Sequence, residues 1–123
     1  MANPNIVNVT SIYGGNNKLE GTTSVQAFIN NAASSGKVFK VNNIVVANTT
    51  VSTTSNATVY IYSEDDLGGT AYAVINAIPI PPETSLIAID KSTSFYLKED
   101  QSVGVLAGDN SALTFSASWE EIS

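Results

Sequence analysis

The stretch KVFKVNNIVV, Lys37–Val46, decides the fold class. In an extended chain successive side chains point to opposite faces. That puts Phe39, Val41 and Val45 on one side and Val38, Ile44 and Val46 on the other, with Lys40 and Asn42 among the latter. One face is solidly apolar and the other mixed. Asn43 interrupts the apolar face, which predicts a bulge there or a partner for its amide. So many β-branched residues suit a pleated, buried surface, and the stretch reads as the central strand of a β-sandwich.

Working outward, the same alternation recurs in short segments separated by turn residues. Ala57–Ser63 (ATVYIYS) sets Thr58, Tyr60 and Tyr62 against Val59 and Ile61. Ala112–Ile122 sets Leu113, Phe115, Ala117 and Trp119 against Thr114, Ser116, Ser118 and Glu120, the most regular period-2 pattern in the chain. Further strands are expected at Val7–Tyr13, Val25–Ile29, Ala71–Ile80, Ser85–Asp90, Ser94–Leu97 and Ser102–Leu106. Along Ala71–Ile80 the alternation places Tyr72, Val74, Asn76, Ile78 and Ile80 on one face. Gly14-Gly15-Asn16-Asn17 reads as a turn, because Gly and Asn take positive φ at low cost. Glu64–Gly69 reads as a polar hairpin loop. Pro79, Pro81 and Pro82 cannot donate to a ladder, so that strand ends at an edge or leaves the sheet. Eight to ten short strands at this spacing predict an all-β, antiparallel, jelly-roll-like β-sandwich. With no repeat and no shift in composition, one domain is expected over 7–123, preceded by an N-terminal arm at 1–6.

Composition removes many chemistries. There is no cysteine and no histidine in the 123 residues. Disulfides, thiolate metal sites and Ser-His or Cys-His nucleophile pairs are therefore impossible. The cations are five lysines, and the formal charge is −6. A nucleic-acid binder needs a basic surface to displace counterions, so nucleic acid is not an expected partner. No apolar run approaches the roughly 20 residues that span a bilayer, and no membrane role is expected. MANPNIVNVT has neither a basic n-region nor an apolar h-region, which predicts synthesis in the cytosol without a signal peptide.

Few residues remain as candidates. Glu64, Asp65 and Asp66 form the densest carboxylate cluster and are a weak calcium candidate, since calcium takes six to eight oxygens. They lack the spacing of a recognisable calcium loop, and a solvated hairpin tip is the plainer reading. Asp90, after Ile87-Ala88-Ile89, is the nearest thing to a buried acid with the raised pKa that glycosidase chemistry requires, but Lys91-Ser92 beside it reads as a turn. No cofactor is expected, nor is enzymatic activity. The sequons at Asn8, Asn48 and Asn56 are chance matches in a chain rich in Asn and Thr. Tyr13, Tyr60, Tyr62, Tyr72, Tyr96 and Trp119 could stack on sugars, although aromatics on strands are more often core or interface. Tyr60, Tyr62 and Trp119 are the interface candidates.

Three phrases belong together: Asn8–Tyr13 (NVTSIY), Ser35–Asn48 (SGKVFKVNNIVVAN) and Ser111–Ser123 (SALTFSASWEEIS), with Pro79–Leu86 and Leu97–Val103 as turns between strands. With these phrases the chain resembles small virion structural proteins of tailed phages, especially those of marine and cyanobacterial hosts. The resemblance implies a β-sandwich added to a particle in many identical copies. It further implies a head decoration (cement) protein that docks as trimers on the major capsid protein of the virion surface. A tail, neck or fibre-base component is the alternative within that group. A carbohydrate-binding module is the alternative from another class.

Overall fold

The computed structural model describes residues 11–123. Among them are nine strands: β1 (Ile12–Glu20), β2 (Gln26–Asn31), β3 (Val38–Asn48), β4 (Ser55–Glu64), β5 (Gly68–Ile80), β6 (Ser85–Ile89), β7 (Phe95–Leu97), β8 (Gln101–Ala107) and β9 (Leu113–Ile122). The one helical element among the described residues is a 3-10 turn, Lys91–Thr93, and no helix is long and apolar enough to cross a membrane. The expected arm at 1–6 and the start of the first strand at Val7–Thr10 lie outside the described residues.

The strands form two antiparallel sheets packed face to face. Sheet A has the order β1-β9-β3-β6, with β7 laid beside β6 along the same edge of β3, and sheet B has the order β2-β8-β4-β5. This interleaving of early and late strands is a jelly-roll order. β3 is central as expected, with β9 on one side and β6 and β7 on the other. The core between the sheets is built from Val41, Ile44, Val46, Val59, Val103, Val105, Leu113 and Phe115, all fully buried, with Phe28 set edge-on to Phe115.

Three expectations are corrected. First, β3 does carry a bulge: its register with β9 shifts between Val41 and Asn43. One extra residue reverses the parity of everything after it, so the inward residues are Phe39 and Val41 and then Ile44, Val46 and Asn48. Val45 faces outward, opposite Ile87 and Ser116, rather than joining Phe39 and Val41. Second, Gly14–Asn17 is not a turn but the middle of β1, paired without a break to Ala117–Glu120. Third, β5 does not alternate. Its register with β4 slips between Ala57 and Val59 and again between Val59 and Tyr60, so Tyr72, Ile75 and Ile78 all lie opposite inward residues. Ala77 sits at the first slip with φ +49° and donates its N–H to Thr58 Oγ1.

With no disulfide available, buried amides tie the sheets together at both ends of β3. At one end Asn31, on sheet B, donates to Leu97 O of β7 and to Lys37 O, and accepts from Ser35 Oγ. At the other end Asn48, on sheet A, donates to Ile80 O of β5 and to Thr53 O, and accepts from Thr50 N and Thr50 Oγ1. Both residues are buried. A buried polar group left unpaired costs about 1–3 kcal/mol. Asn48→Ala removes the amide donor to Ile80 O and Thr53 O, the latter keeping Thr50 Oγ1, and loosens the 49–54 loop, so it is expected to cost about 1–3 kcal/mol in urea unfolding. Asn43→Ala, at an exposed position, is the control and should leave the midpoint in place.

Candidate functional site

Charge is distributed unequally between the two sheets. The strands of sheet A carry Lys18, Glu20, Lys40, Glu120 and Glu121. The strands of sheet B carry Glu64 alone, at the last position of β4, and none of the five lysines. The chain of net charge −6 thus keeps one sheet free of charge except at that terminal position.

Register defines the outer face of that sheet. Ala27, Gly104, Tyr60 and Ala73 form one row across β2, β8, β4 and β5, and Asn30, Ser102, Tyr62 and Ala71 form the next. Tyr60 and Tyr62 therefore stand on a floor of small residues, with ring centroids 6.0 Å apart and planes at 63°. Gly104 is required here, since a Cβ on it would lie 2.9 Å from Tyr62 Cε2, Leu67 Cδ2 and Val25 Cγ1. Burial, and secondarily the neighbouring Tyr60, raise the Tyr62 phenol above the ordinary tyrosine value. The two planes do not make one flat surface for a sugar ring. The other tyrosines are dispersed: Tyr13 on β1, Tyr96 outward on sheet A opposite Lys40, and Tyr72 on the inward side of β5.

Trp119, the third interface candidate, lies apart from the tyrosines on the other sheet. Its ring stacks on Phe39 with centroids 6.0 Å apart and planes at 15°. It also covers Gly15, whose added Cβ would meet Trp119 Nε1 at 2.5 Å. Gly15 and Trp119 are directly opposed across β1 and β9, so the glycine supplies the seat for the indole. The indole N–H donates to Glu121 Oε2, and Lys37 Nζ lies 3.3 Å from Glu121 Oε1. Trp119 is half-buried in the packing of its own chain.

The acidic turn is not a free hairpin tip. The amides of Asp65, Asp66 and Leu67 donate to Asp100 Oδ1, Asn30 Oδ1 and Ser102 Oγ, while Asp65 Oδ2 accepts from Ala33 N. Asp66 and Leu67 both take positive φ, as a tight two-residue hairpin turn requires, and this brings the Leu67 side chain close to Gly104. Glu64, Asp65 and Asp66 are not brought into a ligand set: no group of three or more such residues among the described ones is placed to hold a metal ion. Asp90 is exposed and caps the 3-10 turn. Hydrogen bonds from the Ser92 side chain and backbone, then from Thr93, hold its carboxyl below the usual range. That direction is opposite to the one a general acid needs.

Sequence reasoning missed one surface. Tyr72, Val74 and Ile78 of β5 are 62%, 37% and 38% exposed. The signal was present as an uncharged run from Gly68 to Pro82, longer than the sheet opposite it can cover.

No family model matches the chain, and no curated protein does. Among solved structures it is similar to a protein of Bacillus endospore appendages, described as a novel family of disulfide-linked pili. The TM-score is 0.53 at 14% identity, over 99% of this chain and 95% of that one. At that identity the likeness is one of fold.

Gly15→Ala should displace the indole and cost about 1–3 kcal/mol, with a red shift of tryptophan emission. Unchanged emission would mean that the ring does not rest on Gly15. Tyr62 should titrate above the ordinary tyrosine value in an ultraviolet pH titration, and Tyr60→Phe, which removes the secondary cause, should bring it part of the way down. A phenol whose pKa is raised by folding stabilises the protein below the unfolded value and loses that contribution as pH rises, so stability should fall on the alkaline side.

Proposed function

We propose that this chain is a non-enzymatic structural subunit that works in many identical copies, with the neutral sheet B and its β5 flank as contact surfaces. The carrying observation is the segregation of charge together with the exposed Tyr72, Val74 and Ile78. Charged residues are depleted and aromatics enriched at the centres of protein interfaces, and a contiguous exposed apolar patch marks an interaction site. Two acidic copies meet with least repulsion where neither presents a carboxylate.

Two settings are supported by different observations. The sequence resemblance supports a phage particle, with the major capsid protein as partner of a head decoration subunit, or else a tail or neck position. The fold likeness supports an extracellular filament of repeated subunits. Copies of this chain would be held without disulfides in either setting, because it has no cysteine.

The test is sedimentation velocity with electron microscopy of the purified chain across protein and salt concentration. Self-association is expected to strengthen with salt, since screening weakens repulsion between charged copies. Tyr60→Lys together with Tyr62→Lys should weaken it. A chain that stays monomeric throughout, and does not bind undecorated phage heads, would overturn the proposal.

A further inference from the structure

Sheet A is short on one flank. It ends there in β6, with 5 residues, and β7, with 3, while sheet B ends on the same flank in β5, with 13. β6 is packed against β5, and the inward residues Tyr72 and Ile78 of β5 are left exposed.

The outer edge of β6 can accept a strand. Thr84 O accepts from Asn48 N, and Leu86 lies opposite Val46. Residues that bond to the neighbouring strand alternate along an antiparallel ladder, so Ser85 and Ile87 turn their N–H and C=O groups outward. Both residues are uncharged and exposed, and the register shift of β6 falls beyond Ile87. The other edges among the described residues are blunted in the ways that keep strands from pairing. β1 carries Lys18 and Glu20. β2 gives its Phe28 carbonyl to Asn17 Nδ2 and carries a register shift. β5 has register slips, Ala77 in the left-handed region and Pro79 without an N–H. β7 is too short to hold a partner and runs into Lys98. An edge contact between copies therefore has β6 on both sides.

We infer that β6 pairs with β6 of a second copy, antiparallel across a two-fold axis at Leu86. Ser85 then stands opposite Ile87 of the second copy, and Ile87 opposite Ser85, so both pairs exchange main-chain hydrogen bonds. Leu86 meets its own counterpart on the inner face, and the added strand extends sheet A over the exposed side of β5. Strand addition of this kind takes affinity from the main chain and register from the side chains. Charge selects a second copy for this edge. The uncharged strand is bracketed by Glu83 before it and Lys91 after it. Antiparallel pairing sets the two brackets against each other, Glu83 of each copy near Lys91 of the other. Both side chains are exposed, and neither has an ion-pair partner among the described residues. Asp90, beside Lys91, is engaged by Ser92 and Thr93 of its own turn. A two-fold contact is isologous and closes on itself, which leaves the outer face of sheet B free for further copies. The inference rests on the multi-copy reading above and names one of its contacts.

The chain has no cysteine, so single thiols report the pairing. Full-length S85C and I87C chains are purified, mixed and mildly oxidised. Across the paired edge these two positions lie about 5.5 Å apart, within the span of a disulfide, whereas each homodimer pair lies about 7–8 Å apart on a diagonal. The S85C–I87C heterodimer is expected to form well ahead of either homodimer. Glu83→Lys in both chains should remove most of that lead, and Lys91→Glu added to it should restore the lead, a rescue that a merely altered turn would not give. All of these positions are exposed, and circular dichroism checks that the fold is kept. Thiols that pair at equal rates in every combination, or a heterodimer indifferent to the charge reversal, would overturn the inference and leave the edge to a strand of another protein. In that event, wild-type chain that still self-associates in sedimentation leaves the multi-copy reading standing, and wild-type chain that stays monomeric removes both.

Discussion

Two buried asparagine side chains hold the two sheets in one relation, and most of the structure depends on that. A sandwich of this size without disulfides must set the angle and spacing of its sheets by packing and hydrogen bonds alone. Asn31 and Asn48 do so at opposite ends of β3, each reaching from its own sheet to a backbone carbonyl of the other and each holding a loop as well. An amide suits this task because it offers donors and an acceptor without the desolvation cost of a charge. Once both are satisfied, β5 and β7 are fixed at the ends of the core, and the apolar side chains between them have one arrangement to pack into.

Much of this architecture was legible in the sequence. The alternation of Leu113, Phe115, Ala117 and Trp119 gave β9 and its inward face, and the density of Val and Ile in KVFKVNNIVV gave a central β3. What could not be read was parity across an irregularity. Nothing local says whether a residue such as Asn42 or Ala77 is paired or bulged, because a bulge is decided by the register of both partners. One such residue exchanges the side chains that follow it between core and surface until a second one restores the parity, which is how Val45 and, between the two slips of β5, Ile75 changed faces. The pair of glycines in β1 misled for a related reason. Gly and Asn signal turns by their backbone freedom, whereas Gly15 is there for the space it leaves beneath an indole from a strand some hundred residues later.

The functional surface was only half legible for a similar reason. Tyr60 and Tyr62 stood out as a pair on one face, but periodicity does not say which face is outside. The Val59 and Ile61 side had to be seen in the core first. The acidic turn looked like a solvated tip because its carboxylates are exposed by type. Its structural content is in the backbone amides, which bond to Asn30, Asp100 and Ser102 and fold the hairpin back onto β8 and the end of β2. Charge is informative here by where it is missing, and that is visible only after strands distant in sequence are sorted into sheets.

The same economy bears on how copies could be held together. Neutral apolar contacts and backbone pairing are non-covalent and reversible, and a net negative chain gains from them only where its carboxylates are out of the way. The observed distribution meets that condition. The acids gather in sheet A and in loops, while the uncovered part of the core, the inward side of β5, carries none. The sandwich stabilises itself with buried amides and leaves one uncharged edge, β6, short. Among the described residues the outer backbone groups of β6 have no sheet partner, and the apolar side chains of Tyr72 and Ile78 are exposed beside them.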